Sequence, residues 1–462
     1  MLSSSVLPSP CPPPPTTFRH LDSPLTACPM LHRISTETLG PRGETMAEAV
    51  TRCVHCGFCL PTCPTYDLLG DEADSPRGRI FLMKEVLEGN LDPQQAAPHI
   101  DRCLGCVSCQ TACPSGVPYG DLLSSYRASY PGSSARSFFA KLRRRIASLT
   151  VPYPRRFAWA LRLGQWSGPL TKLAPRGLKP LVDLLPESLP ESQTPPEVSP
   201  AIGQQRAEVM LHVGCAAQVL NPDITASAIR VLTRAGVTVH VPSGQACCGA
   251  LHWHIGDAAR AARFAKQNVA AFGKHSIAIV STAAGCGSGM HEYPLILKGD
   301  RQESAGADFA HRVTDFSVLI DQLELAPLSV SRPLRIAYHD ACHLAHAQKI
   351  RKPPRDLLRR IAGVTVVELV DPEFCCGSAG TYNIDQPEIA SQLGMRKAQA
   401  IIESGCEVVA LGNIGCQVQI EQYLRELGSK IPVLHVAQIL DRVQDGRLEP
   451  MLDSGTNVVR NE

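Results

Sequence analysis

The sequence predicts a multidomain chain of α+β and α/β parts. A mainly helical N-terminal domain precedes two copies of an α/β domain with a parallel sheet. Three observations lead there. Cys53, Cys56, Cys59 and Cys63 precede Pro64, and Cys103, Cys106, Cys109 and Cys113 precede Pro114, so C-x2-C-x2-C-x3-C-P occurs twice. Further on, Cys215, Cys247–Cys248 and Cys286 return as Cys342, Cys375–Cys376 and Cys416 at offsets of 127, 128 and 130 residues, a near-constant period that indicates duplication. Finally, a strand-like apolar run stands before each of these later cysteine features, and helical stretches intervene.

The elements follow in order. The chain has 462 residues, enough for three domains of ordinary size. Segment 1–45 opens with MLSSSVLPSPCPPPPTTF, which is too rich in Pro and Ser to bury a core and lacks the apolar stretch of a secretory signal. Its Ser and Arg content and few acids have a faint likeness to an organelle transit peptide. The plainer expectation is a disordered tail, or a start upstream of a true one near Met46. Cys11 and Cys28 lie in it and carry no expected role.

Residues 46–135 hold the two early motifs, which are the signature of two [4Fe–4S] clusters. Cubane iron takes thiolate ligands, and two residues between successive cysteines let three sulfurs converge from one tight loop. The fourth cysteine lies too far along to close the same cage, and in two-cluster ferredoxins it ligates the other cluster. The expected sets are therefore Cys53, Cys56, Cys59 and Cys113 for one cluster, and Cys103, Cys106, Cys109 and Cys63 for the other. Gly57 and Gly105 let backbone N–H groups approach the sulfurs, and Pro64 and Pro114 turn the chain away after the last ligand. C-x-x-C pairs also bind zinc, but this doubled register favours iron. A disulfide framework suits neither the length nor the absence of a secretory signal. Between the motifs, DSPRGRIFLMKEVLEGN predicts a helix, with Ile80, Met83, Lys84 and Leu87 at helical spacing and Gly89 as its stop.

Segment 136–206 begins basic and partly aromatic: Phe138, Phe139, Lys141, Arg143, Arg144, Arg145, Arg155, Arg156, Phe157 and Trp159. It reads as a surface for a membrane or an acidic partner, or as a solvated helix face beside packed aromatics. From about Leu184 to Gln205 it becomes a Pro/Ser/Glu-rich linker. The first repeat spans 207–325 and the second 332–445, leaving 446–462 as a tail. Strands are expected in VMLHVGC, VTVHVPSGQACCG and IAIVSTAAGC of the first, and in RIAYHDAC, VTVVELVDPEFCCG and CEVVALGNIGC of the second. Helices are expected in ASAIRVLTRAG, AARAARFAKQNVAAFGKH and EIASQLGMRKAQAIIESG. Ligands of parallel sheets gather at the carboxyl ends of strands, where these cysteines fall.

Adjacent cysteines suit a metal that needs several sulfurs close together, and Gly249 and Gly377 let the chain bend after each doublet. Cys215, Cys247, Cys248 and Cys286, and likewise Cys342, Cys375, Cys376 and Cys416, are candidates for a further cluster or a zinc ion; the alternative is buried cysteine as a small apolar filler. His252, His254, His339, His343 and His346 crowd the same places as donors, proton carriers or quinone contacts, or as ordinary hydrogen-bonded residues. Cys406 has no counterpart in the first copy and reads as core.

Two ferredoxin motifs followed by two CCG repeats resemble the iron–sulfur subunit of glycolate oxidase, also called glycolate dehydrogenase. The likeness rests on CVHCGFCLPTCPTYDLLGDEADSPRGRIFLMKEVLEGN, DRCLGCVSCQTACPSGVPYGDLL, ACCGALHWHIGD and FCCGSAGTYNI, and it runs through residues 46 to 440. Sister families share the arrangement: the third subunit of anaerobic glycerol-3-phosphate dehydrogenase and, in part, heterodisulfide reductase and lactate-utilisation proteins. One departure is clear. The wider CCG pattern ends in C-x-x-C, whereas Gly289 and Gln419 stand at the last positions here.

The resemblance implies a non-flavin subunit of an oxidoreductase acting on CH–OH groups, without catalytic residues of its own. FAD-linked partner subunits would oxidise glycolate to glyoxylate, and this chain would pass the electrons toward a quinone or another acceptor. A thiol or disulfide reductase is the competing reading, and lactate or glycerol 3-phosphate the competing substrates. The formal charge of +2 gives no reason to expect nucleic acid. The absence of any apolar run of about 18 residues predicts no membrane-spanning helix. The 19 cysteines suit a reducing compartment, so the expected place is the cytoplasm, with peripheral contact at the inner face of the cytoplasmic membrane as an option.

Overall fold

The computed structural model describes residues 34–453 except 133–135, 168–174, 176, 275 and 324. Cys11, Cys28 and most of the predicted N-terminal tail lie outside the described residues, as do 454–462.

Short helices build the N-terminal part because prolines and caps start them and the cysteine loops stop them. They run Gly43–Thr51, Pro64–Leu69, Pro76–Leu87, Pro93–Asp101, Ser108–Thr111 and Tyr119–Ser129. The helix expected between the motifs begins at Pro76, where proline loses no helical hydrogen bond and Ser75 Oγ accepts the Gly78 N–H at 3.0 Å. It ends before Gly89, which takes the left-handed conformation at φ +78°. Ile80, Met83 and Leu87 are buried as their spacing requires, while Lys84 stays half-buried and pairs with Glu85 and Glu88. With Met46, Ala49, Val50, Ile100, Leu122, Leu123 and Tyr126 they form a core against which Cys53, Cys103 and Cys109 pack.

Each repeat is built on a four-stranded parallel sheet, to which the first adds an antiparallel edge strand. The first contains β1 (Val198–Ser199), β2 (Ala207–His212), β3 (Val237–His240), β4 (Ala278–Ser281) and β5 (Val313–Asp315) in the order β1-β3-β2-β4-β5. The second contains β6 (Leu328–Tyr338), β7 (Ile361–Glu368), β8 (Val408–Leu411) and β9 (Val433–His435) in the order β7-β6-β8-β9. Leaving out β1, the two orders are identical, so the duplication seen in the cysteines is also one of topology. The expected helices appear as Asp223–Arg234, Ala258–Phe272 and Pro387–Glu403.

Both faces of each sheet are buried, as parallel sheets require. Val209 and Leu211 of β2 face a central core, and Met210 faces a separate one. Ile336 and Tyr338 of β6 enter the same central core, whereas Ala337 faces the other way. The helices Asp223–Arg234 and Val436–Gln444 meet between the sheets, and Asp441, 1 % exposed, receives Arg230 at 2.7 Å and Ser227 at 3.1 Å. The central core therefore belongs to both repeats.

Three segment assignments need correction. Part of the segment read as an N-terminal tail is folded: Arg42 donates to the carbonyls of Leu295 and Ile296, and its guanidinium lies over Trp253. The linker contributes β1, which pairs antiparallel with β3 and satisfies its outer edge. The segment after 445 forms the helix Leu448–Asp453, held because Leu448 and Met451 have apolar surface to bury in the central core.

Candidate iron–sulfur centres

The two N-terminal loops have the same backbone. His55 and Gly57 in the first, and Gly105 and Val107 in the second, stand at matching positions with φ of 52°, 87°, 68° and 52°. Left-handed residues two apart curl the chain so that its N–H groups converge, and the Gly105 N–H points at Cys103 Sγ at 3.5 Å. For His55 and Val107 this conformation is strained, which is common where a loop must serve a site.

One cavity is lined by Cys53, Cys56, Cys59 and, from the other motif, Cys113. Cys53, Cys59 and Cys113 lie within electrostatic reach of one another, and burial pushes the Cys59 thiol up to about 11. Cys103, Cys106 and Cys109 gather with Cys63 from the first motif. The structure thus brings the fourth cysteine of each motif to the other motif's loop. Cys109 stands between the two sets, since it also borders the first cavity.

The sets differ in exposure. Cys56 is exposed, and its neighbours Val54 and Phe58 are 63 % and 67 % exposed, whereas Cys63, Cys103, Cys106 and Cys109 are all buried. Beneath the second set lies Arg79, 1 % exposed, with Nη1 3.8 Å from Cys63 Sγ and Nη2 3.3 Å from Asp74 Oδ1. Burial works against charge on Arg79, but Cys103, Tyr119, Cys63 and Asp74 around it raise its pKa above the usual value. Burial also opposes the Cys103 thiolate, yet the guanidiniums of Arg79 and Arg127 hold this thiol below its ordinary range. Four thiols beside the buried Arg79, the part-buried Arg127 and the Gly105 N–H fit an anionic thiolate cage.

In the repeats the cysteines follow the carboxyl ends of strands. Cys215 Sγ lies 3.5 Å from Cys247 Sγ, and Cys247 and Cys286 are the strongest influences on the Cys248 thiol. In the second copy Cys342 and Cys376 act on the Cys375 thiol, and Cys375 and Cys416 on Cys376, so the four gather in the same way. Gly249 and Gly377 take φ of +86° and +87°, and their N–H groups donate to Cys247 and Cys375 Sγ at 3.5 Å. A Cβ at Gly377 would stand 2.6 Å from the Ala390 carbonyl oxygen, so the tight bend needs glycine. Hydrogen bonds from neighbouring thiols lower Cys248 and Cys376 well below the ordinary thiol value, while Cys247, Cys286, Cys375 and Cys416 are raised. Thiolates this close together and this buried need a cation to balance them, so both donor sets fit a metal centre.

The two positions without a fifth cysteine are occupied differently, the first by crowding and the second by hydrogen bonding. A Cβ at Gly289 would fall 2.5 Å from the Ala250 Cβ. Gln419 is 1 % exposed and bonds the Ala390 carbonyl and the Asn383 amide, each at 3.2 Å.

The histidines divide by role. His343 donates to the Gly105 carbonyl at 3.1 Å and meets His254 edge-on, and His346 bonds Thr111 at 3.0 Å, so both tie the second repeat to the ferredoxin part. His254 bonds Glu292, and His252 is buried beside Phe264. His339 faces Cys376 and Cys416. Its counterpart His212, three residues before Cys215 and shifted by the same 127 residues, escaped the sequence reading although that offset signals it. Arg79 was also missed, since no local pattern marks it. Cys406 is buried in the core and bonds the Ile401 carbonyl.

The chain matches the 4Fe-4S dicluster domain over residues 49–117 and the cysteine-rich domain over 209–291 and 336–421. It is 36 % identical over 383 residues to the glycolate oxidase iron–sulfur subunit of Escherichia coli, covering 81 % of this chain and 90 % of that one. It is 33 % identical over 421 residues to the probable glycolate oxidase iron–sulfur subunit of Bacillus subtilis, covering 86 % and 95 %. Lactate utilization protein A of Oceanobacillus iheyensis is 31 % identical over 243 residues, covering 52 % of this chain and 98 % of the relative. With its crossed cysteine sets and duplicated cysteine-rich sheets, the chain belongs to the family of glycolate oxidase iron–sulfur subunits.

Proposed function

We propose that this chain is the electron-carrying subunit of a complex that oxidises glycolate to glyoxylate. The carrying observation is the crossing of the two motifs, which sets Cys53, Cys56, Cys59 and Cys113 together and Cys103, Cys106, Cys109 and Cys63 together. These residues would hold two [4Fe–4S] clusters, which when bound accept and release single electrons. The cysteines of the repeats are assigned to a further cluster or zinc. The chain's own part is to hold the sulfurs, shield the second set from water and set charge around it through Arg79 and Arg127. Substrate chemistry belongs to FAD-linked subunits, since the organic step needs a hydride or two-electron acceptor that thiolate sets do not supply.

The first set, with exposed Cys56, Val54 and Phe58, is the face for a redox partner. Final transfer goes to a quinone or another acceptor. Among the described residues no helix is long and apolar enough to cross a membrane. The helices Phe138–Thr150 and Pro154–Trp166 expose Phe138, Trp159, Leu163 and Trp166 beside Lys141, Arg145, Arg155, Arg156 and Arg162, a composition suited to anionic lipid headgroups at the cytoplasmic face.

The test is anaerobic purification of the chain alone and with its flavin subunits. Iron, acid-labile sulfide and paramagnetic resonance signals are measured for the wild type, Cys113→Ser and Cys63→Ser. The expected result is loss of the first cluster in Cys113→Ser, loss of the second in Cys63→Ser, and glycolate-dependent dye reduction only in the assembled complex. An iron-free wild-type chain, or turnover without a flavin subunit, overturns the reading. The similarity to lactate utilization protein A makes lactate the second substrate to assay.

A further inference from the structure

Beside the second ferredoxin loop lies a cavity of about 260 Å³ that is lined by none of the cysteines. Its walls come from the helices Pro93–Asp101 and Tyr119–Ser129 and the turn that follows them. Ala97 and Ile100 supply aliphatic surface, and Tyr126 and Tyr130 supply two rings with centroids 4.8 Å apart. Tyr126 is 2 % exposed, and its hydroxyl has no hydrogen-bond partner among the described residues. Buried hydroxyls are ordinarily paired, so this one is a donor held for something that enters the cavity. Burial raises the Tyr126 pKa, and Tyr130 adds to the effect, so the proton stays on the oxygen. An apolar cavity of about 150 Å³ takes a benzene molecule, so there is room here for a one- or two-ring headgroup.

Position and charge narrow the occupant. Arg127 lines the cavity, and its Nη2 donates to the carbonyls of Cys103 at 2.7 Å and Ile100 at 2.8 Å. One side chain thus joins the cavity wall to a cysteine of the second set. Asp101, also in the wall, is clasped by Arg136, whose Nε lies 2.9 Å from Oδ2. Arg144 lies within electrostatic reach of Arg127, Arg136, Asp101 and Asp385. Three guanidiniums against two carboxylates leave a positive surplus, which favours an occupant that gains negative charge on reduction. Arg136 stands two residues before the helix Phe138–Thr150, so the rim of the cavity leads to the exposed Phe138 and the face suited to lipid.

We propose that this cavity binds the ring of a membrane quinone, with the Tyr126 hydroxyl donating to a ring carbonyl, Tyr130 against the ring, and the isoprenoid tail leaving toward the helix Phe138–Thr150. The inference rests on the electron-carrying reading above and gives its final acceptor a place. The quinone takes two electrons, one at a time, from the second ferredoxin-type cluster, which is oxidised by one unit at each transfer. Two protons come from solvent, and the two ring carbonyls become hydroxyls. Tyr126 lends a hydrogen bond and keeps its own proton. The electrons originate in hydroxy-acid oxidation by the flavin subunit.

The experiment uses the full chain, purified without oxygen. The probe is heptyl-hydroxyquinoline N-oxide, a fluorescent quinone analogue that takes no electrons. Its binding is followed by fluorescence quenching and counted by equilibrium dialysis in the wild type, Tyr126→Phe and Ser129→Trp. One analogue per chain is expected, displaced by a short-chain ubiquinone or a short-chain menaquinone, and the more effective of the two names the ring class. Tyr126→Phe keeps the ring and loses only the hydroxyl, so binding should weaken about three- to tenfold. Ser129 lines the cavity and is exposed, so tryptophan there should cover the mouth and abolish binding. Iron content and paramagnetic signals check that each variant is intact. No binding to the wild type, displacement by neither quinone, or an affinity unchanged in either variant overturns the proposal. Where one variant fails to fold, the other variant and the wild-type displacement decide the matter. A chain with both clusters that binds no analogue sinks this inference alone; an iron-free chain sinks the electron-carrying reading as well.

Discussion

Replacing Arg79 with methionine tests how this protein would set the potential of the proposed second cluster. Arg79 is 1 % exposed, donates to the His99 carbonyl at 2.7 Å, and places Nη1 3.8 Å from Cys63 Sγ. Methionine retains much of the volume and removes the charge. At an effective dielectric constant of about 20, unit charges roughly 4 Å apart interact by about 4 kcal/mol. The electron added on reduction spreads over the cage, so a mean separation of roughly 8 Å and half that energy, about 2 kcal/mol, is the better figure. With about 1.36 kcal/mol per decade and about 59 mV per decade for one electron, the midpoint should fall by roughly 90 mV. The sign is negative because Arg79 favours the more negatively charged, reduced state.

The assay is a redox titration followed by paramagnetic resonance, with the second cluster's signal identified by its loss in Cys106→Ser. Loss of one partner from a buried ion pair costs about 3–5 kcal/mol. Asp74 retains Arg102 at 2.8 Å and His99 at 3.2 Å, which softens that cost. The double variant Asp74→Asn/Arg79→Met is measured beside the single one and should show a smaller shift, because it removes charges of both signs. An unchanged second midpoint with both clusters retained, or a shift confined to the first cluster, would refute the electrostatic argument.

Three further outcomes are expected. Gly289→Ala forces a methyl against Ala250 and should lower stability by about 1–3 kcal/mol, read as a drop in the urea midpoint; an unaltered midpoint would show that the helix yields freely. Burial lowers His435 to about 4, and the neutral ring accepts the Ala437 amide at 3.0 Å and donates to the Thr282 carbonyl at 2.7 Å. Because the unfolded state takes up this proton first, the stability is present above the unfolded pKa near 6.5 and is lost as pH falls toward 4, by up to roughly 3 kcal/mol. His435→Gln should flatten that slope, and equal slopes in both proteins would exclude His435 as its source. The variant Trp159→Ser/Trp166→Ser should bind phosphatidylglycerol vesicles more weakly than the wild type, with neither binding phosphatidylcholine well; equal sedimentation of the two proteins with anionic vesicles would rule out a lipid role for this face.

Much of the site was legible because ligand spacing is local. Three cysteines two residues apart can meet around one cage wherever the loop is placed, so Cys53, Cys56 and Cys59 stood out as candidate ligands without a fold. The duplication was legible for a related reason, since matching sheets need matching strand-to-ligand distances along the chain. Strands carrying a cysteine feature were identified, whereas β1, β5 and β9 were not, being two or three residues long and without such a marker. His339 was noticed only as one of several nearby histidines, and His212 was passed over, because only a folded strand end turns such a residue toward sulfur or toward a carbonyl.

The amino-acid order by itself picked out the candidate sulfur donors, grouped them in two early sets and two later ones, and determined that the later part is a doubled α/β unit. Tertiary structure alone decided that Arg79 lies beneath Cys63 and Cys103, that Cys106 shares an apolar cluster with Cys375 and Cys342, that of the two ferredoxin sets only the first reaches the surface, and that no cysteine fits at 289 without a shift. The physical reason is range. Loop geometry is set by bonds between neighbours, but burial, charge and adjacency between sites come from elements hundreds of residues apart meeting in one packed interior.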